Sequence, residues 1–346
     1  MSSPSSPGRL NLAEFASMGA DGSLVLWSAD MYPDLVSQIW EHDELVGIPS
    51  GVAYCDQTGN VAIWTESAVV VISSTGEPLL RELSSVYFAQ FVDGDLVVLT
   101  REGLLKRLFA GLWQVLSEFE TVYCISAIGV ALIFGLEGRV WRIKLSDGSV
   151  LAAGVIKNPP EKGFGWYHKI CPSQDCSTFV FSEDTKLRLF DATSQIIELE
   201  PFEVSSSVVW LNLSPSGENL FVGAHEAYSI VNFPGGTLVH NHSRGFTRGT
   251  PRMGAFDCSN RFFFEHAYAS SLNILSQENW EVVASIRMSV LSVAAQSPDG
   301  KSLFCILQDN SVVCVSLDPA RWGEISRRIA GRDWTDAEKE RYLSGA

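Results

Sequence analysis

One short pattern of apolar and polar residues recurs along almost the whole chain, and it limits the possible folds more than any other feature. Its unit is a set of short strand-like runs separated by tight turns, and it returns every ~35 to 45 residues. The clearest run of the unit occurs eight times, at residues 23–27, 69–72, 104–108, 139–143, 186–191, 228–231, 271–275 and 311–315. The chain is therefore expected to consist of successive copies of one small β unit.

A second run of the unit is also recognisable, as an apolar stretch that ends in a turn. Seven such runs begin near Gly51, Val86, Thr121, Gly165, Ser206, Arg252 and Val290. We take the seven runs as the first strands and the eight runs described above as the third strands of four-stranded antiparallel blades. The predicted fold class is therefore an all-β propeller. The alternative is a pair of β-sandwiches, for which the regular spacing would be a coincidence.

Several copies carry more specific residues. Residues 208–217 and 291–300 end in Ser-Pro-x-Gly turns, Asp21-Gly22 precedes the run at 24–27, and residues 187–191 end in Asp. These segments resemble the WD-repeat consensus, and the resemblance extends over most of the chain. It implies a WD-repeat-like β-propeller.

The number of blades is left open by the sequence. Eight third strands favour eight blades, whereas WD-repeat propellers most often have seven, in which case N-terminal strands would complete the last blade. In either case, pairing of the two chain ends would hide strand edges that could otherwise recruit other chains.

Composition and charge narrow the possible partners. Apolar residues make up 46% of the chain, with ten Trp and nineteen Phe, which is enough material for a large buried core. The formal net charge is −15. Because binding to nucleic acid depends on clustered Lys and Arg, a cationic or polar protein partner is expected instead of a nucleic acid.

The first eight residues are small and polar, and they predict a flexible lead without an export signal. The most apolar stretch, residues 122–136, is shorter than the ~20 residues that span a bilayer, so no membrane segment is predicted. Seven cysteines lie mostly in apolar runs, which is typical of buried free thiols in a reducing compartment. Together these features predict a cytoplasmic protein.

The pattern changes to helix after residue 318, so the propeller is assigned to residues 9–318 and a helical tail to 319–346. Asp318 is a suitable N-cap, Pro319 suits the first helical position, and Trp322, Ile325 and Ile329 would share one face. Residues 335–338 form a capping box for a second short helix. The tail is expected to pack on the propeller.

This ending resembles that of many bacterial WD-repeat proteins. In that family such propellers often form the sensor part of STAND-type NTPases, kinases or other signalling and conflict proteins. The resemblance implies a sensor or scaffold in a bacterial signalling or defence system, with a separate effector chain as its partner.

Two connections between repeats are long and rich in aromatic and Arg residues. Such side chains provide large contact areas and strong polar anchors, so these loops are the predicted partner-binding site. The residues assigned to it are Trp166, Tyr167, His168, Arg244, Phe246 and Arg248. The alternative is an ordinary solvated loop.

Acidic residues occupy most of the turns between the second and third strands. They are Asp21, Glu66, Glu102, Glu137, Glu183, Glu226 and Asp309. If these turns share one face, they form an acidic rim that would select a partner by its charge pattern. The alternative is turn chemistry, because Asp-Gly and Glu-Gly sequences favour tight hairpins by themselves.

No compact catalytic motif is present. The sequence contains no phosphate-binding Gly-rich loop, zinc-protease helix or nucleophile elbow. Cys171 with Cys176 and His240 with His242 lack the further ligands of a metal site, so no cofactor or metal is predicted. A propeller hydrolase or lyase with a site in the central channel remains the alternative to a non-catalytic interaction protein.

Overall fold

The computed structural model describes residues 15–18, 24–27, 36–40, 47–73, 76–82, 84–121, 123–127, 129–157, 170–205, 207–224, 227–242, 252–267, 271–286, 288–318, 320, 321 and 324. Within these residues it contains 31 β-strands, numbered in chain order. The first three are β1 (Phe15–Met18), β2 (Leu24–Trp27) and β3 (Val36–Trp40). Together with β3, the remaining strands form seven antiparallel sheets, which are the blades of a β-propeller.

The first four blades follow one another along the chain. Blade 1 contains β4 (Pro49–Tyr54), β5 (Val61–Thr65), β6 (Val69–Ile72) and β7 (Pro78–Glu82). Blade 2 contains β8 (Val86–Val92), β9 (Asp95–Thr100), β10 (Leu104–Phe109) and β11 (Leu112–Glu118). Blade 3 contains β12 (Tyr123–Ala127), β13 (Val130–Phe134), β14 (Arg139–Lys144) and β15 (Val150–Val155). Blade 4 contains β16 (Ile170–Pro172), β17 (Thr178–Glu183), β18 (Lys186–Asp191) and two short outer pieces, β19 (Ile197–Glu198) and β20 (Phe202–Glu203).

The last three blades complete the ring. Blade 5 contains β21 (Trp210–Leu213), β22 (Asn219–Gly223), β23 (Tyr228–Asn232) and β24 (Leu238–His242). Blade 6 contains β25 (Arg252–Phe256), β26 (Phe262–Ala267), β27 (Ser271–Ser276) and β28 (Val282–Ile286). Blade 7 contains β29 (Val290–Gln296), β30 (Ser302–Leu307) and β31 (Val312–Ser316), with the N-terminal strand β3 as its fourth strand. The two ends of the propeller are thus joined within one sheet.

Packing between the blades forms the core of the molecule. Seven hydrophobic clusters of described residues each span one pair of neighbouring blades, including the pair formed by blades 7 and 1. The second and third strands are covered on both sides, which explains why they are continuous apolar runs such as Val69–Ile72. The fourth strands lie at the perimeter, and β11 contains only exposed and half-buried residues. We call each of these packed interfaces between neighbouring blades a seam. The seams therefore hold the ring together.

The structure settles the number of blades at seven. All seven predicted first strands exist, although β16 and β21 begin later than expected, at Ile170 and Trp210. The assignment of residues 23–27 as an eighth third strand was wrong. Instead, β1 and β2 form a hairpin on the outer edge of blade 6, where β1 pairs with β28. An amphipathic hairpin has the same residue pattern whether it lies inside a blade or on its edge.

The predicted helical tail lies largely outside the described residues. At its start, the backbone N–H of Ala320 donates a hydrogen bond to the Asp318 carboxylate over 3.0 Å, as predicted for an N-cap. Ala320, Arg321 and Glu324 have helical conformation. The polar lead also lies outside the described part of the chain.

Candidate interaction face

Strand direction defines two faces of the ring. Because the strands of a blade are antiparallel, the turn between the second and third strands lies at the same end as the connection that enters the first strand. We call this end the upper face and the opposite end the lower face. Three connections on the upper face are short, at residues 83–85, 119–122 and 287–289. The connections at 204–209 and 41–48 have six and eight residues. The two longest have fourteen and nine residues, and they lie between Val155 and Ile170 and between His242 and Arg252.

The first long connection leaves blade 3 and enters blade 4. Its start is held by two backbone contacts: the Ile156 N–H donates to the Gly138 carbonyl over 2.8 Å, and the Arg188 guanidinium donates to the Lys157 carbonyl over 2.8 Å. The segment joins β15, the fourth strand of blade 3, to β16, the first strand of blade 4. The predicted binding residues Trp166, Tyr167 and His168 lie outside the described residues.

The second long connection leaves blade 5 and enters blade 6. Beneath it, the seam between these blades is filled by aromatic rings. The His240 ring stacks on Trp280 with 5.2 Å between the ring centroids, and the Phe221 and Phe263 centroids are 4.9 Å apart. The remaining predicted binding residues, Arg244, Phe246 and Arg248, lie outside the described residues.

Five of the acidic residues assigned to the rim are described, and their turns lie on one face. Glu66, Glu102, Glu137, Glu183 and Asp309 all lie in, or at the end of a strand next to, a second-to-third turn on the upper face.

The other two members of the predicted rim, Asp21 and Glu226, lie outside the described residues.

Arginine side chains, which sequence reasoning did not include, neutralise part of this rim. Arg101 approaches Glu66 of the neighbouring blade to 2.9 Å, and Arg139 lies 3.8 Å from both Glu120 and Glu137. These pairs are exposed, so each contributes ~1 kcal/mol or less to stability. Between blades 1 and 3 the upper face therefore carries both positive and negative charges. An Arg next to the Glu of a turn, as in Arg101-Glu102, was the available sequence signal.

Turn chemistry accounts for some of the acidic residues. The Asp309 carboxylate accepts hydrogen bonds from the Ser311 N–H over 2.9 Å and from the Ser311 hydroxyl over 2.6 Å. The Thr100 hydroxyl and the Glu102 backbone N–H hold the pKa of the Glu102 carboxyl below its usual value. Turn chemistry therefore accounts for Asp309 and Glu102, while selection of a partner by the acidic rim stays a prediction.

His266 is a buried titratable group near the upper end of β26. It is 2% exposed, and this burial lowers the pKa of its imidazole to about 4, although a hydrogen bond with the Val290 backbone favours the charged form. In the unfolded chain a histidine has a pKa of ~6.5. The unfolded state therefore binds one proton more than the folded state between about pH 6.5 and pH 4.

We expect stability to fall as the pH is lowered through this range. The contribution of His266 should reach about 3 kcal/mol at pH 4, because one pKa unit corresponds to about 1.4 kcal/mol. Urea unfolding of the wild type and of His266→Gln at pH 7, 5.5 and 4 measures this contribution. The free energy of unfolding should fall less for the variant than for the wild type between pH 7 and pH 4. An equal fall in both proteins would contradict the lowered pKa of His266.

The lower face contains a polar cleft of about 510 Å³ between blades 4 and 5. It is lined by Ser173–Asp175, Ser177–Thr178 and Pro215–Gly217. Its polar groups serve their own turns: the Ser173 hydroxyl and the Ser177 N–H both donate to Asp175 over 2.9 Å. Partial burial opposes ionisation, but these two donors keep the pKa of the Asp175 carboxyl below its usual value. The cleft is therefore the space between two neighbouring turns, and its polar groups are used by the turns themselves.

The paired cysteines and histidines do not assemble a site among the described residues. Cys171 packs in the seam between blades 4 and 5, where burial raises the pKa of its thiol to about 12, whereas Cys176 packs against blade 3. His240 is stacked on Trp280. Within the described ranges, no group of three or more His, Cys, Asp or Glu could hold a metal ion.

All seven cysteines are free, and five of them are buried. In the part of the chain that the structure describes, no helix has the length and apolar character needed to cross a membrane.

No protein-family model matches this chain, and no curated protein is significantly similar to it. The resemblance to WD repeats therefore depends on the sequence motifs and on the seven-bladed ring itself.

Proposed function

We propose that this protein is a non-catalytic scaffold or sensor subunit that binds a protein partner through its upper face. The observation that carries the proposal is the position of the two long connections. Both leave the upper face, one between blades 3 and 4 and the other between blades 5 and 6, so only blades 4 and 5 separate them. A closed ring with packed seams provides a rigid support for loops of this kind.

The mixed charges on the upper face of blades 1 to 3 favour a protein partner with basic segments. Exposed carboxylates such as Glu66 and Glu137 attract such a partner, while the neighbouring Arg side chains restrict its orientation. A net charge of −15 disfavours nucleic acid as a partner.

The innermost strands favour binding over catalysis. All seven first strands are described, and together they contain no Asp, Glu, His or Lys; Arg252 is their single charged residue. A hydrolase or lyase site in the channel would need acid–base groups, which are most often His, Asp, Glu or Lys. Any such group would have to reach the channel from a turn or connection.

The WD-like motifs and the tail sequence support a more specific role. We propose that the protein works in the cytoplasm as the sensing component of a bacterial signalling or defence system, and that a separate effector chain is its partner. The proposal needs no bound cofactor.

The direct test replaces Trp166, Tyr167, Arg244 and Arg248 by Ala. A partner is first captured from the native cells and purified, and its dissociation constant is then measured with both proteins isolated. We expect binding to weaken about 100-fold or more, because aromatic and Arg anchors dominate interface energies. Thermal unfolding of the variant should remain close to that of the wild type.

A matched control replaces two apolar and two basic residues elsewhere on the surface, namely Phe109, Leu112, Lys144 and Lys301. Phe109 and Leu112 are 52% and 71% exposed and lie at the lower end of blade 2. This control should bind the partner normally. Equal affinities of the two quadruple variants would contradict the proposed surface.

A further inference from the structure

Arg188 is the only Arg or Lys that is buried among the described residues, with 5% of its surface exposed. It lies on β18, the third strand of blade 4. Its side chain points to the same side of the blade as that of Phe190, since alternate residues of a strand share a face. Phe190 packs in the seam with blade 3, and the guanidinium lies 5.3 Å from its ring centroid. The charge of Arg188 is therefore placed inside the seam between blades 3 and 4.

Burial of a guanidinium is costly unless its donors are satisfied. Arg188 forms a bidentate pair with Glu198, in which Nε donates to Oε1 over 2.7 Å and Nη2 donates to Oε2 over 2.8 Å. Nη2 also donates to the Lys157 carbonyl over 2.8 Å. Two strands of blade 4 and the chain leaving blade 3 thus meet at one side chain.

The same seam is joined at its perimeter by backbone contacts. Ala153 forms a parallel bridge with Gln195, and a Cβ placed on Gly154 would lie 2.7 Å from the Ile196 Cβ. These contacts hold β15 but lie before Lys157 in the chain. Beyond Ile156, the Arg188 bond is the contact that ties the chain to blade 4 just before the long connection begins.

We propose that Arg188 is a positioning residue that fixes where the first long connection leaves blade 3 and thereby presents this connection to the partner. The second half of this inference rests on the proposed function. The first half is a property of the isolated chain, so the two can be tested separately.

The test is native-state proteolysis of Arg188→Met with a protease that cleaves after Lys. Cleavage after Lys157 should become about ten-fold faster, because the Lys157 carbonyl loses its tie to blade 4. The rate should depend little on urea, as expected for local opening and not for global unfolding. Arg188→Lys, which can reach only one of the two acceptors, should give an intermediate rate.

Arg107→Met is the matched control. Arg107 combines the same kinds of bonds at another seam, donating to Asp95 over 2.8 Å and to the Ser146 carbonyl over 3.0 Å. Its loss should destabilise the chain without faster cleavage after Lys157. If Arg188→Met does not fold, Glu198→Gln provides the same comparison, because it weakens the bidentate pair and keeps the Arg.

An unchanged cleavage rate in Arg188→Met, or an increase that is strongly urea-dependent and matched by Arg107→Met, would show that Arg188 only stabilises the ring. The partner's dissociation constant is then measured with the same variant. Faster local cleavage with weaker binding supports the full proposal. Faster local cleavage with unchanged binding would overturn the presentation of this connection to the partner.

Discussion

Removal of residues 1–40 is expected to prevent formation of a stable soluble monomer, whereas removal of residues 1–27 should leave the propeller folded. The difference is β3, which pairs with β31 from Val36↔Val315 to Trp40↔Val312 and closes blade 7. Without it, β31 becomes an open edge of Val and Cys residues, and such edges aggregate. Val36, which is 4% exposed, would also be lost from the seam with blade 6.

The two truncations form a matched pair. The shorter one removes only the β1–β2 hairpin, which contacts blade 6 through two paired positions, Phe15↔Ile286 and Ala16↔Ser285. Light scattering and thermal unfolding should show a monomer close to wild type for this protein. The longer truncation should be aggregated, or should unfold at least ~10 °C lower. Equal stability of the two would show that β3 does not close the ring.

The closing strand also illustrates what the sequence could predict about the fold. Period and strand type are local properties, so the blades between Gly51 and Val315 could be assigned from their apolar runs and turns. Pairing of β3 with β31 is long-range and is made through the backbone, which carries no residue-specific signal. Residues 23–27 were counted as a third strand for the same reason.

The candidate site was predictable to a similar extent. The long connections are visible as gaps in the repeat, and strand order then fixes the face from which they leave. The pairing of Arg101 with Glu66 was not predictable, because it joins residues of neighbouring blades whose contact depends on the ring geometry. The role of Arg188 was hidden for the same reason, since in the sequence it is one of three charged residues of the strand Lys186–Asp191 and nothing marks it as buried.

Aromatic rings pack closely in the seam beneath the second long connection. Phe263 is fully buried, and its ring centroid lies 4.9 Å from that of Phe221 and 5.1 Å from that of Phe256. Gly254, on the adjacent strand, leaves room for this ring. A Cβ placed on Gly254 would lie only 2.1 Å from the Phe263 Cζ. The Phe263 ring therefore occupies the space that a side chain at position 254 would need.

A double-mutant cycle should reveal this shared space as a large coupling free energy. Phe263→Ala should lower the free energy of unfolding by about 3 to 5 kcal/mol through the cavity it leaves. Gly254→Ala should lower it by about 1 to 3 kcal/mol, because the ring or the strand must shift. In the double variant the new methyl group enters the vacated space, so the combined loss should be smaller than the sum by about 1 kcal/mol or more. Urea unfolding of the four proteins measures the coupling.

Gly217→Ala is the control for backbone effects of a Gly-to-Ala change. Gly217 has a φ of +74° with nothing within 4 Å of an added Cβ, so its substitution costs backbone strain of about 1 kcal/mol and no overlap. Its effect should add to that of Phe263→Ala without coupling. If Gly254→Ala also adds simply to Phe263→Ala, the glycine is not there to accommodate the ring. A coupled result means that Gly254 of β25, the strand entered by the second connection, leaves the space that the Phe263 ring of β26 occupies within blade 6.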